Sequence, residues 1–148
     1  RAVFLFNFTQ FVEWPSDAFP TAKSPLVIGV LGQDPFGNLL EETTLGEEIN
    51  GHPLVVQRFG TVEEIETCHI LYINISKSDQ LKHVFESLKN LNVLTVGDAT
   101  NFAKQGGMIR FFTENNKTRI RINLESAKEA DLTISSKLLR LAEIVDSK

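Results

Sequence analysis

Cysteine is nearly missing from this 148-residue chain: Cys68 stands alone, so no disulfide closes within the chain. One thiol neither places the protein in an oxidising compartment nor excludes one. With a single cysteine, none of the usual four-ligand sets of a structural zinc site, each with two or more cysteines, can be assembled. Long hydrophobic runs are absent as well. None approaches the roughly 20 residues that cross a bilayer, so the chain is expected not to be transmembrane. A basic excess is also lacking. Fifteen Lys and Arg stand against 19 Asp and Glu, a net charge of −4, which argues against nucleic acid as a partner. The common chemical signatures are missing too. Gly29, Gly32 and Gly37 form neither GxGxxG nor GxxxxGK[ST], and no GxSxG elbow occurs. A phospho-receiver site fails for want of carboxylates: Asp34 is alone after the first expected strand, Ile75-Ser76 closes another with no Asp before Asp79, and the Lys it needs is missing after Phe112, where Thr113 stands. His52 and His69 begin expected strands, whereas reactive groups in an open α/β sheet gather at the carboxyl ends. His83 falls on the solvated face of a helix. These absences point away from an enzyme, and the expectation is no cofactor and no metal.

What is present is an ordinary globular composition, 42% hydrophobic and 23% charged, long enough for one domain over 1–148 with a real core. Phenylalanine is plentiful. Four of the eleven, Phe4, Phe6, Phe8 and Phe11, crowd the opening stretch RAVFLFNFTQFVEWP beside the only tryptophan, Trp14. At 100° per residue this stretch is an amphipathic helix. Phe4, Phe8 and Phe11 form one stripe, widened by Leu5 and Val12, while Asn7, Thr9, Gln10 and Glu13 lie opposite. Phe6 projects from the polar side, and Trp14-Pro15 is expected to stop the helix. The stretch is too regularly interrupted for a signal-peptide core. The chain starts without Met or a capping residue, so a mature or trimmed form is expected.

Downstream, strands and helices alternate. Leu26 to Leu31 reads as a strand buried on both faces. Asp34-Pro35 is expected to cap a helix over Phe36 to Thr43. Asn50-Gly51 marks a turn before a strand over His52 to Phe59, and Thr61 with Glu64 makes a capping box. A strand over His69 to Ile75, a helix over Asp79 to Leu88, a strand over Asn90 to Val96 and a short helix over Thr100 to Lys104 follow. Met108 to Thr113 and Lys117 to Leu124 form a hairpin. Helices over Glu125 to Ala130 and Ile134 to Val145 close the chain. The expected fold class is α/β: a single three-layer domain with a mostly parallel sheet of about six strands, helices on both faces, and a C-terminal antiparallel hairpin at one edge.

Three groups of residues are candidate sites. On the hairpin, strand alternation puts Arg110 and Phe112 on one face, with Lys117, Arg119, Arg121 and Asn123 on the same face of the second arm. With Asn115-Asn116 as a two-residue turn, Phe112 faces Arg119 and Arg110 faces Arg121. Like charges directly opposite are unfavourable. The face is therefore either a solvated one neutralised by glutamates of a neighbouring helix, or a binding surface. Phe6 and Trp14 are a second candidate protein contact. Gln33, Asp34 and Ser76, at the carboxyl ends of expected strands, would line the crevice used by a small-ligand module.

Seven phrases in series, FLFNFTQFVEWP, VIGVLGQDPFG, CHILYI, VLTVGD, GGMIRFF, RIRINL and ISSKLLRLAEIV, run from Ala2 to Val145. In these the chain resembles the YfiR (HmsC-like) family of small periplasmic proteins. The resemblance implies a periplasmic repressor that binds the periplasmic sensor region of an inner-membrane diguanylate cyclase and holds it inactive, lowering cyclic-di-GMP and biofilm formation. It also implies export by a signal peptide, homodimers, and sequestration by an OmpA-type outer-membrane lipoprotein. Characterised repressors of this type carry cysteine pairs. Here Cys68 has no intrachain partner, which leaves only pairing between chains.

Overall fold

In the computed structural model the opening stretch is helical over Ala2–Phe11 (α1) and continues as the short strand Val12–Glu13 (β1). The helix ends before the expected Trp14-Pro15 because Val12 and Glu13 pair antiparallel with Ile134 and Thr133. The remaining elements are β2 (Leu26–Gly32), α2 (Leu39–Thr44), β3 (Glu48–Ile49), β4 (His52–Phe59), β5 (Ile70–Asn74), α3 (Ser78–Ser87), β6 (Leu94–Gly97), β7 (Ile109–Glu114), β8 (Lys117–Asn123), α4 (Leu124–Glu129), β9 (Thr133–Ile134), α5 (Ser136–Leu139) and β10 (Ala142–Val145). The structure describes residues 1–145; the last three positions of the domain expected over 1–148 lie outside the described residues.

Eight strands form the main sheet in the order β10-β8-β7-β6-β5-β2-β4-β3. β4, β2, β5, β6 and β7 are parallel neighbours, and β10 runs parallel to β8. The β7–β8 and β3–β4 pairs are antiparallel. This is the mostly parallel α/β sheet expected, with two more strands. Strand order reverses at β2, whose two neighbours are β4 and β5.

The aromatic stripe of α1 packs on this sheet. Phe8 stacks on Phe111 of β7 with centroids 6.1 Å apart, and Phe4 meets Phe111 edge-on at 5.6 Å. Leu5 and Phe8 are completely buried, each contributing about 1.5–3 kcal/mol of burial free energy. They share a core with Leu40 of α2, Ala127 of α4, Leu138 of α5, and the residues of β2, β5, β6, β7 and β8 that face them. On the other face, Leu81 and Val84 of α3 join Leu31, Phe59, Leu71, Ile73 and Phe102. The sheet is covered on both faces, making three layers. The second core, however, holds no residue of β7, β8 or β10. On that side the Phe102 turn still reaches β8, where the Ala103 carbonyl accepts from the buried Asn123 Nδ2 at 3.0 Å; only the part of the hairpin beyond this contact is left bare.

Five local expectations differ from the structure. The segment 134–145 is not one helix: Ser135 caps the four-residue α5 by accepting from the Lys137 N–H at 3.2 Å, and Ala142–Val145 leave as β10. Consequently the hairpin is not the sheet's edge, since β10 lies outside it. Asp34 does not cap α2. Its Oδ1 accepts from the Phe36 N–H at 2.7 Å, closing a turn, and the helix starts at Leu39 after Asn38. Residues 100–104 are turns rather than a helix, folded so that the Phe102 ring sits over Gly97 and Gly107. Thr9, assigned to the polar side of α1, is buried; its hydroxyl donates to the Phe6 carbonyl at 2.6 Å and so carries its polarity inward satisfied.

Candidate functional site

The hairpin turns on Asn115 and Asn116, both at positive φ (52° and 63°). This conformation suits a two-residue turn whose twist matches the strands. The register then follows: Glu114 opposite Lys117, Phe112 opposite Arg119, Arg110 opposite Arg121, with Ile109, Phe111, Ile120 and Ile122 buried on the other face. The expected cross-strand pairs all form. β10 adds Glu143 beside Arg121.

On the bare side of the sheet these residues make a cationic and aromatic surface. The Arg121 guanidinium lies 4.0 Å over the Phe112 ring and that of Arg110 5.9 Å from it, geometry in which the ring quadrupole attracts both. Arg121 donates to Glu143 at 3.2 Å, and Arg119 to Glu114 at 3.0 Å. The glutamates that neutralise the face thus come from strands, not from a neighbouring helix. Arg110 differs. Among the described residues it forms no ion pair, and its Nε is buried without a hydrogen-bond partner. Burial first, and the Arg121 charge second, pull its guanidinium below the usual arginine range, while Asp98 works the other way. Asp98 itself is paired with Arg1.

The second candidate pair falls elsewhere. α1 covers the opposite face of the sheet from Arg110, so Phe6 and the hairpin surface are not brought together. Phe6 is half-buried and belongs to neither core. It shares the outer stripe of α1 with Val3, which is 59% exposed, and Gln10. Trp14 is half-buried against the first core, and its Nε1 donates to the His69 carbonyl at 3.1 Å.

The third candidate group lies at the strand ends, where the sheet reverses. Asp34 is engaged on both oxygens, by the Phe36 N–H and by Arg58 Nε at 2.6 Å, and Arg58 is also paired with Glu41. Asn74 donates to the Gln33 carbonyl at 2.7 Å, and Ser76 is exposed. A hollow of about 470 Å³ opens beside them, lined by Leu31, Thr61, Ile75, Asp79 and His83 rather than by Gln33, Asp34 or Ser76.

His69 is the most completely engaged titratable side chain. Its Nδ1 accepts from the Val27 N–H at 3.0 Å, which fixes the proton on Nε2, 2.9 Å from the Ala18 carbonyl. Phe19 stacks on its ring at 4.3 Å, and His52 stacks on the far side of Phe19 at 3.8 Å. Burial lowers the His69 pKa, the Ala18 carbonyl opposes this, and His52 lowers it further. Cys68, next in sequence, is buried, and burial pushes its thiol up to about 12. Both lie just before β5, which starts at Ile70 rather than at the expected His69, and His69 ties this segment to Val27 of β2.

Glu143 is the member of the cationic face that the sequence concealed, because its segment has helical spacing. The β-branched pair Ile144-Val145 was the available sign of a strand.

No helix among the described residues is long and apolar enough to cross a membrane. Comparison with curated proteins finds no match. Comparison with known families matches residues 1–143 to the family described as YfiR/HmsC-like. That match spans nearly the whole sheet, from α1 into β10, and agrees with the seven phrases read along the sequence: the chain belongs to the YfiR/HmsC-like family.

Proposed function

We propose that this protein is a non-enzymatic periplasmic regulator that works by protein contact, binding the periplasmic sensor region of a membrane-bound diguanylate cyclase and holding it inactive. The carrying observation is the family match over residues 1–143. The bare sheet face of Arg110, Phe112, Arg119 and Arg121 supports it, being a surface that the fold leaves open for a partner. Homodimerisation and sequestration by an OmpA-type lipoprotein belong to the same reading. The test is capture of the periplasmic region of a cyclase encoded beside this gene, together with cyclic-di-GMP levels after deletion. Capture with a rise in cyclic-di-GMP is expected; unchanged cyclic-di-GMP with no captured cyclase refutes the proposal.

A small-ligand module is the second reading, favoured by the hollow of about 470 Å³ at the sheet's reversal point, the place where open α/β sheets hold ligands. A ligand carried through purification, detected by mass spectrometry, would support it; a ligand-free protein with full cyclase control would count against it.

A further inference from the structure

The hairpin face carries a charge that the fold itself does not answer. Among the described residues, Arg110, Lys117, Arg119 and Arg121 share it with Glu114 and Glu143, on a chain whose net charge is −4. Glu114 is used by Arg119 and Glu143 by Arg121. Arg110 sits directly opposite Arg121 in the register, a like-charge pair that costs free energy. Its Nε is buried and unpartnered, and an unmet buried donor is costly. A carboxylate placed over this pair would relieve the like-charge repulsion, because guanidinium forks match carboxylates in two-point geometry.

We propose that this face docks an acidic segment of the protein's partner, with one carboxylate bridging Arg110 and Arg121 across the Phe112 ring. The assignment rests on the reading that the protein acts by protein contact. An extended acidic segment fits better than an anionic membrane. The surface is a flat sheet face whose one aromatic, Phe112, is half-buried beneath guanidinium groups, and the exposed Leu141 and Ile144 lie at the β10 end, outside the arginine cluster.

The experiment follows the amide and arginine Nε–H resonances of the ¹⁵N-labelled protein during titration. The probe is a blocked octapeptide alternating glutamate with alanine, and its glutamine counterpart is the control. Saturable shifts at Arg110, Phe112 and Arg121 are expected with the glutamate peptide alone. Arg110→Gln should weaken binding about tenfold, the scale of one charge-assisted hydrogen bond. Arg110→Lys should weaken it less, and Arg140→Gln, beyond α5 on the other side of the sheet, not at all. Should Arg110→Gln lower the melting temperature, the Arg110→Lys comparison decides. The proposal is overturned by absence of saturable shifts, by equal loss in Arg140→Gln, or by shifts with phosphatidylglycerol vesicles and none with the peptide. Peptide docking here without capture of the cyclase region would uphold this inference and remove the cyclase reading; capture indifferent to Arg110→Gln would do the reverse.

Discussion

His69→Ala tests how much of the fold rests on one neutral imidazole. The substitution leaves the Val27 N–H, at the start of β2, without its acceptor, at about 1–3 kcal/mol for a buried orphan donor. It also removes the ring between Phe19 and Trp14, where an aromatic pair contributes about 0.5–1.5 kcal/mol beyond its area. The total is about 3 kcal/mol. In urea unfolding, with a slope of about 2 kcal/mol/M, the midpoint should fall by about 1.5 M. His69→Asn places an oxygen where Nδ1 stood and should recover roughly half of this loss. The pH dependence follows from the burial of the ring. Burial disfavours a second proton, His52 adds to this and the Ala18 carbonyl opposes it, so the folded state binds that proton less readily than the unfolded chain. Between the unfolded value of about 6.5 and the lower folded one, the unfolded chain holds the extra proton. Stability is therefore complete above about pH 6.5 and declines as pH falls through that window. Each tenfold weakening of proton binding on folding is worth about 1.4 kcal/mol. Wild type should lose stability more steeply from pH 7 to pH 5 than His69→Asn does. Identical slopes, or a cost for His69→Ala below about 1 kcal/mol, would refute the argument.

Gly107→Ala should destabilise by about 1–3 kcal/mol through overpacking, since a Cβ there would lie 2.2 Å from the Phe102 ring; shrinking that ring in Phe102→Leu should partly rescue it, and strictly additive losses in urea unfolding would show that the two do not clash. Cys68, buried and with its thiol pushed up to about 12, should react with Ellman's reagent only at the rate of unfolding; fast labelling of the native protein would contradict its placement. Phe6→Asp, at a half-buried position outside both cores, should change stability by about 0.5 kcal/mol or less and weaken partner capture more than folding. A collapsed thermal melt would mean that Phe6 is core.

The parts of this molecule that were legible in its sequence are those decided by neighbours in the chain, and the cationic face shows where that limit matters. Arg110 opposite Arg121 and Phe112 opposite Arg119 could be read directly, because Asn115-Asn116 sets the register and strand alternation does the rest. β10 could not. Leu138, Leu141, Ala142 and Val145 have helical spacing, and only pairing with β8, some twenty residues away, makes Ala142–Val145 a strand. Glu143 was hidden with it. Without Glu143, Arg110 and Arg121 look equivalent; with it, Arg121 is answered and Arg110 is the one left over. Why the face is open at all is a matter of topology. A parallel connection must cross over a sheet face, and on the α3 side those crossings are made by residues 62–64, by α3 and by the Phe102 turn, of which only the last reaches β8, where the Ala103 carbonyl accepts from Asn123 Nδ2 at 3.0 Å. The step from β7 to β8 is a tight hairpin with no crossover, and the step from β8 to β10 passes through α4 and α5 on the other face. These connections leave the hairpin end of β7 and β8 without a crossover on this side, beyond the buried Asn123. A merely solvated face would need only mixed polar residues there; this one carries three arginines around a phenylalanine, and among the described residues Arg110 has no ion pair.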